Sequence, residues 1–577
     1  MSIQAVGAVA ALNALYLAVG ASLLWVVRSA GTWIDVVRLL GLAYVVGLVL
    51  TGLAWSFLLI AGVPFSLAVV LGVPILVTAG LLALGRARRR SLPTGARVDG
   101  GSSLVVTAVG VAAAGVLLEA LLRSARLSGL YWFDGWSFWI PKAKAIYFFG
   151  GLDEQFFTEL PGASYPILVP ALDAAVFHVV GSADVLALHF QYWLFALGFV
   201  WALAGLLSER VPAWILWPCV LLLLVAPRIG RRFQVTEADL FLDYLFVLAA
   251  VLVAFWIVDG GRWRLLVAAL LLCAIVNTKR EGLLLATVLL AAALIATSRR
   301  WRARWPAIGI VALVAVAAAV PWRLWYVSRD VEGESGSQGL IRGDGRDLLW
   351  PSVRRSLDVL WDPGYWNLIV PVFIGALAVA ALARVGRLAV FSGALVAFVV
   401  AGGVWATWNF SQTGAGFVLG GNFVIRFMGA AALLCAATAP LLLSAAWPTT
   451  RSEPRAGASR RVGLAAVIAT LPLLAYPAIT IAADGLPRFP TRDDCSRPAR
   501  AGAPDVEVVY GRFDDPRSAD QLLARLTAVG FVGAESAFDP CGRWKVSYDS
   551  VASFEQAREL AEQVRTAGFE ATVEYRS

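Results

Sequence analysis

The sequence predicts a mainly α, polytopic membrane protein that carries a small α+β domain at its C-terminal end. Three observations point to this fold class. Of 577 residues, 59% are hydrophobic and only 15% charged, with a mean hydropathy of +0.74. Apolar runs long enough to cross a bilayer, about 20 residues each, recur throughout 1–484. Beyond Asp484 the composition turns polar: 485–504 is a linker rich in Pro, Arg and Asp, and 505–577 reads as a soluble domain.

Spans are expected near 5–27, 36–60, 65–85 and 103–123, then near 184–208, 212–227, 240–258, 264–278 and 281–298. Five more follow near 306–323, 366–384, 389–407, 422–445 and 462–482, giving about 14 crossings. The run from Val6 to Val27 has no basic n-region and no small-residue cleavage site. It is therefore a first span rather than a signal peptide. Residues 167–180 are apolar but short, which suits a re-entrant or steeply tilted piece.

Charge sets the orientation. Basic clusters occupy short gaps between spans: Arg86, Arg88, Arg89 and Arg90; Arg299, Arg300, Arg302 and Arg304; Arg384 and Arg387; Arg451, Arg455, Arg460 and Arg461. The positive-inside rule puts all four in the cytoplasm, and the N-terminus and the C-terminal domain outside. The net charge of +9 thus reflects membrane topology. No basic face on a folded domain invites nucleic acid.

On this map the most chemically loaded segment, Tyr131 to Pro170, lies in an outer loop, 125–170. It sets Asp134, Lys142, Lys144, Asp153, Glu154 and Glu159 among Trp, Tyr and Phe, as a water–membrane boundary does. The turn from Arg228 to Asp239, the run Asn277 to Gly282, the second outer loop 328–362, and Arg426 reach the same side. Ionisable groups at membrane depth usually line a cavity or a substrate path, so these segments are expected to form one site. A carboxylate walled by Phe133, Trp136 and Trp139 suits a general base, because desolvation raises its pKa. Lys279, Arg280 and Arg426 suit a phosphate, Arg through a bidentate fork and Lys as a point charge.

The chain has two His, no CxxC and no HExxH, which excludes a His-rich metal site. Cys219, Cys273 and Cys435 fall in apolar spans as small packing residues. Cys495 and Cys541 lie in or beside the outer domain, where a disulfide is chemically allowed but its pairing stays open. In that domain VEVVYGRF reads as a strand. SADQLLARLTAVGF reads as a helix capped by Ser518 or Asp520 and stopped by Gly530. Strands around 532–538 and 543–548, the helix SFEQARELAEQVRTAG and the strand FEATVEYRS complete a βαββαβ order. That order is a split βαβ plan repeated over about 35 residues.

This terminal unit, VVYGRFDDPRSADQLLARLTAVGF followed by GRWKVSYDSVASFEQARELAEQVRTAGFEATV, resembles the SPOR domain, a peptidoglycan-binding module of bacterial envelope proteins. The resemblance implies a glycan-binding sheet face with Tyr510, Phe513, Trp544 and Tyr548. The membrane part, from about Leu121 to Pro440, resembles the GT-C glycosyltransferases. The resemblance rests on FDGWSFWIPKAKAIYFFGG with SYPILVP, TEADLFLDYLF, NTKREGLLL, and the run from Asn422 to Phe427. It implies a polyprenyl-phosphate sugar donor, an envelope glycan or lipid acceptor, and a location in a bacterial inner membrane. Asp134 stands where the family has its catalytic acid. Gly135 follows where many relatives have a second acid, leaving Asp153 and Glu154 as helpers and a divalent cation (Mg or Mn) open. Trp136, Trp139, Lys142, Tyr165, Glu237, Asp239, Lys279, Arg280, Glu281 and Arg426 would bind substrate. A flippase for lipid-linked sugars, or a non-catalytic peptidoglycan-binding scaffold, are the competing functions.

Overall fold

The computed structural model describes residues 2–28, 31–91, 93, 102–125, 134–159, 162–232, 236–297, 302–329, 346–412, 418–419, 423–446, 498–499, 501, 506–513, 515–539, 543–549 and 551–575. The chain divides into two compact units, and the described residues from 498 onward belong to the second.

The first unit opens with α1 (Ile3–Val27), α2 (Trp33–Arg38), α3 (Leu40–Ile60), α4 (Leu67–Ala87) and α5 (Ser102–Ala125). A π-helical turn, Gly135–Trp139, runs directly into α6 (Ile140–Phe149), followed by α7 (Glu154–Glu159) and α8 (Leu168–Val180). Next come α9 (Val185–Leu207), α10 (Ala213–Leu224), α11 (Pro227–Arg232), α12 (Ala238–Asp259), α13 (Arg262–Val276) and α14 (Glu281–Thr297). The unit closes with α15 (Trp305–Val327), α16 (Arg346–Trp361), α17 (Pro363–Trp366), α18 (Ile369–Leu382), α19 (Gly386–Ser411) and α20 (Phe423–Ala446).

Among the described residues, nine helices are long and apolar enough to cross a membrane. The protein is a multi-pass α-helical membrane protein on that evidence. The segments expected near 212–227, 264–278, 281–298 and 366–384 form shorter helices of 12, 15, 17 and 14 residues. At 1.5 Å per residue each falls short of a bilayer core of about 30 Å. Hydropathy alone does not mark every helix end: Val225 and Ala226 continue the apolar run beyond α10. The piece expected at 167–180 forms the 13-residue helix α8, ended by Gly181 at φ +77°. The segment 462–482 lies outside the described residues.

Close packing explains how so apolar a chain makes one bundle. Lipid-soluble helices gain little by burying apolar surface, so small residues and ring contacts decide their neighbours. Helices α1 and α3 meet where Gly20 lies on Ala43 and Gly47 on the Tyr16 carbonyl, and a Cβ at either glycine would collide with backbone. At the centre, α12 is buried along nearly its whole length. It takes stacked rings from α9, with Phe199 on Tyr244 at 3.9 Å and Phe195 on Phe241 at 4.2 Å.

The ion pairs of the unit separate into two groups. One joins Arg38 to Glu209 at 3.2 Å, Arg264 to Glu209 at 2.7 Å and Arg264 to Asp259 at 3.0 Å. Arg304, from one of the basic clusters, donates to the Trp256 and Ile257 carbonyls at the end of α12 beside them. These residues lie in or within a few residues of gaps that the span count assigns to the cytoplasm. The second group, from loops and span ends assigned to the outside, is the site described below.

The second unit has a four-stranded antiparallel sheet in the order β2-β3-β1-β4, with β1 Val506–Phe513, β2 Glu535–Phe538, β3 Trp544–Tyr548 and β4 Thr572–Tyr575. Helices α21 (Pro516–Ala528) and α22 (Phe554–Thr566) complete the βαββαβ chain. The cap of α21 is Asp515, which accepts from Ser518 N at 3.0 Å, rather than Ser518 or Asp520. Pro516 at the first helical position explains the earlier start. Gly530, at φ +97°, stands just past the end of α21 as expected. Cys495 and Cys541 lie outside the described residues.

Candidate functional site

Three helix starts and one π-helical turn supply the site. Asp239 sits in the first turn of α12, where a helix N-terminus favours an anion. Lys279 lies in the tight turn from α13 to α14. Gly282 is required there, because a side chain would meet the Ile275 carbonyl. Asn277 locks the turn by donating to the carbonyls of Cys273 at 2.8 Å and Ala318 at 2.9 Å. Arg426 belongs to the first turn of α20, and Asp134 immediately precedes the π-helical turn, a distortion common at functional sites.

These side chains converge. Arg426 Nη2 lies 2.5 Å from Asp134 Oδ2 and 2.6 Å from Asp239 Oδ2, while its Nε donates to the same Asp239 oxygen at 2.7 Å. Lys279 Nζ takes the other Asp239 oxygen at 2.8 Å and reaches Glu281 at 3.3 Å. The side chains of Asp134, Asp239 and Arg426 are 14%, 13% and 10% exposed, so their attraction is only partly screened by solvent. Burial disfavours the Lys279 ammonium, but Asp239 and Glu281 more than compensate and hold its pKa above the usual lysine range.

An aromatic wall backs the cations. The Tyr165 ring lies 5.2 Å from the Arg280 guanidinium and 5.8 Å from Lys279 Nζ, within cation–π range. Tyr165 in turn packs on Phe138 at 5.6 Å and Trp139 at 5.4 Å. Lys142 is fully buried and donates to the carbonyls of Gly162 and Tyr165. It braces the loop that carries Tyr165.

Glu237 caps the start of α12 and is 4% exposed, with Oε1 unpartnered. Desolvation pushes its pKa up to about 8. Arg426 opposes that rise, and the charges of Asp239 and Asp134 add to it. Below that pH it is a neutral acid beside two carboxylates.

The remaining expected residues lie apart or undescribed. Asp153 caps α7, accepting from Phe156 N at 2.8 Å, and Glu154 pairs with Arg329 at 3.2 Å with a largely exposed side chain. Neither joins the Asp134 cluster, because α7 turns them towards the loop surface. The Trp136 side chain is outside the described residues. In the second unit Tyr510 is in the core, and Phe513, Trp544 and Tyr548 pack against it. The sheet register puts Trp544, Val546 and Tyr548 on one face, with Lys545 and Ser547 on the other. That second face carries buried ion pairs: Lys545 with Glu507 at 2.8 Å, and Arg512 with both Glu574 and Asp539 at 2.8 Å. The aromatics thus take part in the core: Tyr510 is buried, while Phe513, Trp544 and Tyr548 are half-buried.

Sequence reasoning missed Asp243. It stands one turn beyond Asp239 on α12, is 4% exposed, and lines the same cleft. The spacing of the two Asp in TEADLFLDYLF, four residues apart on one helical face, was the available signal. The cleft has Asp239, Lys279, Glu281 and Arg426 at its polar end, and Leu284, Val288, Phe398, Gly402, Gly403 and Phe427 on its apolar walls. It encloses about 50 Å³.

Among the described residues, no three His, Cys, Asp or Glu side chains converge as metal ligands. Asp134 and Asp239 face Arg426 and Lys279 instead, so the residues do not fit a divalent cation as arranged, and no step below is routed through one. No protein-family model, no curated protein and no solved structure matches the chain.

Proposed function

We propose that the protein is a membrane glycosyltransferase that moves a sugar from a polyprenyl-phosphate donor to an envelope acceptor outside the cytoplasmic membrane of a bacterium. The GT-C resemblance suggests this class. The observation that carries the reading is Arg426 shared between Asp134 and Asp239, with Lys279 on the far oxygen of Asp239. A base and two cations then stand side by side, and the two cations line a cleft with apolar walls.

In the proposed reaction, the phosphate of the donor draws Arg426 and Lys279 into charge-assisted bonds. That draws Arg426 away from Asp134 and leaves the carboxylate free to meet the acceptor. Asp134 takes the proton of the acceptor hydroxyl as its oxygen attacks the anomeric carbon. The bond from that carbon to the phosphate oxygen breaks, and polyprenyl phosphate leaves as an anion held by Lys279 and Arg426. Tyr165, half-buried and backed by Phe138 and Trp139, supplies a ring face suited to sugar C–H surfaces. The apolar walls formed by α14, α19 and α20 suit the start of a prenyl chain. The C-terminal unit, by its SPOR resemblance, would hold the enzyme near peptidoglycan or present an envelope glycan.

The test is transfer from a panel of polyprenyl-phosphate sugars in reconstituted membranes. Formation of a glycosylated acceptor supports the transferase. Labelled lipid crossing the bilayer with no product from any donor assigns the protein to the flippases instead.

A further inference from the structure

A second cavity lies among helices other than those that line the cleft above. It is formed by α1, α2, α3 and the end of α4 and encloses about 630 Å³, within the range of small-molecule sites. Arg28, Arg86 and Arg90 line it, with Asp35 as the acidic residue and Trp25, Trp33 and Leu82 among the apolar surface. The cavity therefore holds three cations against one anion. Asp35 is already engaged, accepting from Arg38 at 2.7 Å and lying 3.8 Å from Arg28. It also closes a capping box with Thr32, so it does not neutralise Arg86 and Arg90. Arg90 Nε is buried without a hydrogen-bond partner, a costly state unless a ligand satisfies it.

Apolar contacts dominate the rest of the cavity, and Gly85 lies directly against the Trp25 ring, where a side chain would collide. Trp25 is fixed by donating to the Ser91 carbonyl at 3.1 Å. Leu76 and Leu84, on the helix that ends in Arg86, are exposed apolar surface. A cationic mouth, a tryptophan collar and an adjoining apolar helix face match an anionic amphiphile rather than a free anion. Basic pockets between spans on the cytoplasmic side suit lipid headgroups on general grounds.

We infer that this cavity is a binding site for one anionic phospholipid, its phosphate held by Arg86 and Arg90 and an acyl chain laid along α4. The site lies among gaps assigned to the cytoplasm and is independent of the proposed transfer reaction.

The experiment is native mass spectrometry of the full-length protein in neutral detergent, titrated with phosphatidylglycerol, with phosphatidylcholine in parallel. The expected result is one saturable phosphatidylglycerol bound at least tenfold more tightly than phosphatidylcholine. The double variant Arg86→Gln with Arg90→Gln should weaken that binding about tenfold. Leu82→Trp, which fills the cavity while keeping its charges, should weaken it as well, and size-exclusion profiles check that each variant is folded. Equal affinity for the two lipids, or undiminished binding by both variants, would overturn the inference. Displacement of the lipid by millimolar inorganic phosphate would also overturn it, because the site would then read a free anion.

Discussion

Arg426 Nη2 stands 2.5 Å from Asp134 Oδ2, joining the start of α20 to the residue just before the π-helical turn. The same guanidinium holds Asp239 at 2.6 Å, so two carboxylates depend on one cation. Breaking a buried pair by removing one partner is costlier than never having built it.

Arg426→Ala is therefore expected to destabilise the protein by roughly 3–5 kcal/mol, read as a fall in the unfolding midpoint in detergent. Arg426→Lys keeps the charge and should recover much of that loss without recovering donor binding, since a lysine cannot fork between two oxygens. Equal stability of wild type and Arg426→Ala would remove Arg426 from its bridging role.

Lys279→Gln should raise the donor concentration needed for half-maximal transfer by about ten- to a hundredfold, the effect of losing one charge-assisted hydrogen bond worth roughly 1.5–3 kcal/mol. Steady-state kinetics against donor concentration decide this. A change in kcat alone would place Lys279 outside the phosphate site.

Glu237 predicts a pH dependence. Burial raises its pKa to about 8 in the folded state, above the ordinary glutamate value of about 4.3. Between these values the folded protein keeps a proton that the unfolded chain has lost. The contribution of Glu237 is therefore fully present at low pH and declines as pH rises towards 8, by about 1.4 kcal/mol per unit at most. Unfolding measured from about pH 5 to about pH 8 should show a shallower decline in Glu237→Gln than in wild type. Identical slopes would mean that Glu237 is already ionised in the fold.

The membrane orientation is checked by single cysteines in a cysteine-free background. Gln155 and Arg88 are both exposed. An impermeant thiol reagent added to intact cells should label Gln155→Cys and spare Arg88→Cys. The reverse pattern would invert the whole topology and place Asp134 in the cytoplasm.

In the second unit, Trp544 packs on Phe538 at 5.6 Å and against the core. Trp544→Ala should thus lower the stability of that unit by about 2–3 kcal/mol, within the range of large-to-small core changes. Lost peptidoglycan binding at unchanged stability would return Trp544 to a recognition role.

Much of the site was legible from charge alone. Asp134, Asp239, Lys279, Glu281 and Arg426 come from four segments far apart in sequence, yet span parity and the basic clusters put them on one side, and they meet in the fold. What parity could not supply was the partition within a loop. Asp153 and Glu154 share a loop with Asp134, but a short helix turns them to other partners. Lys142 reads as an interfacial cation and is instead fully buried on carbonyl oxygens. Strand alternation in β3 correctly grouped Trp544 with Tyr548, yet alternation alone does not say which face two helices will cover. The apolar runs around α10 and α18 extend past the helices themselves, through Val225 and Ala226 and through Leu368 and Ala383, so hydropathy does not mark where these helices end.

The central claim rests on Asp134, and Asp134→Asn tests it most directly, because it keeps the shape of the side chain and removes the base. With a donor that wild type uses, the account predicts a fall in kcat of about 10²–10⁴ at little change in donor affinity, in protein shown to be folded despite the weakened pair with Arg426. Full transfer activity in Asp134→Asn would contradict it.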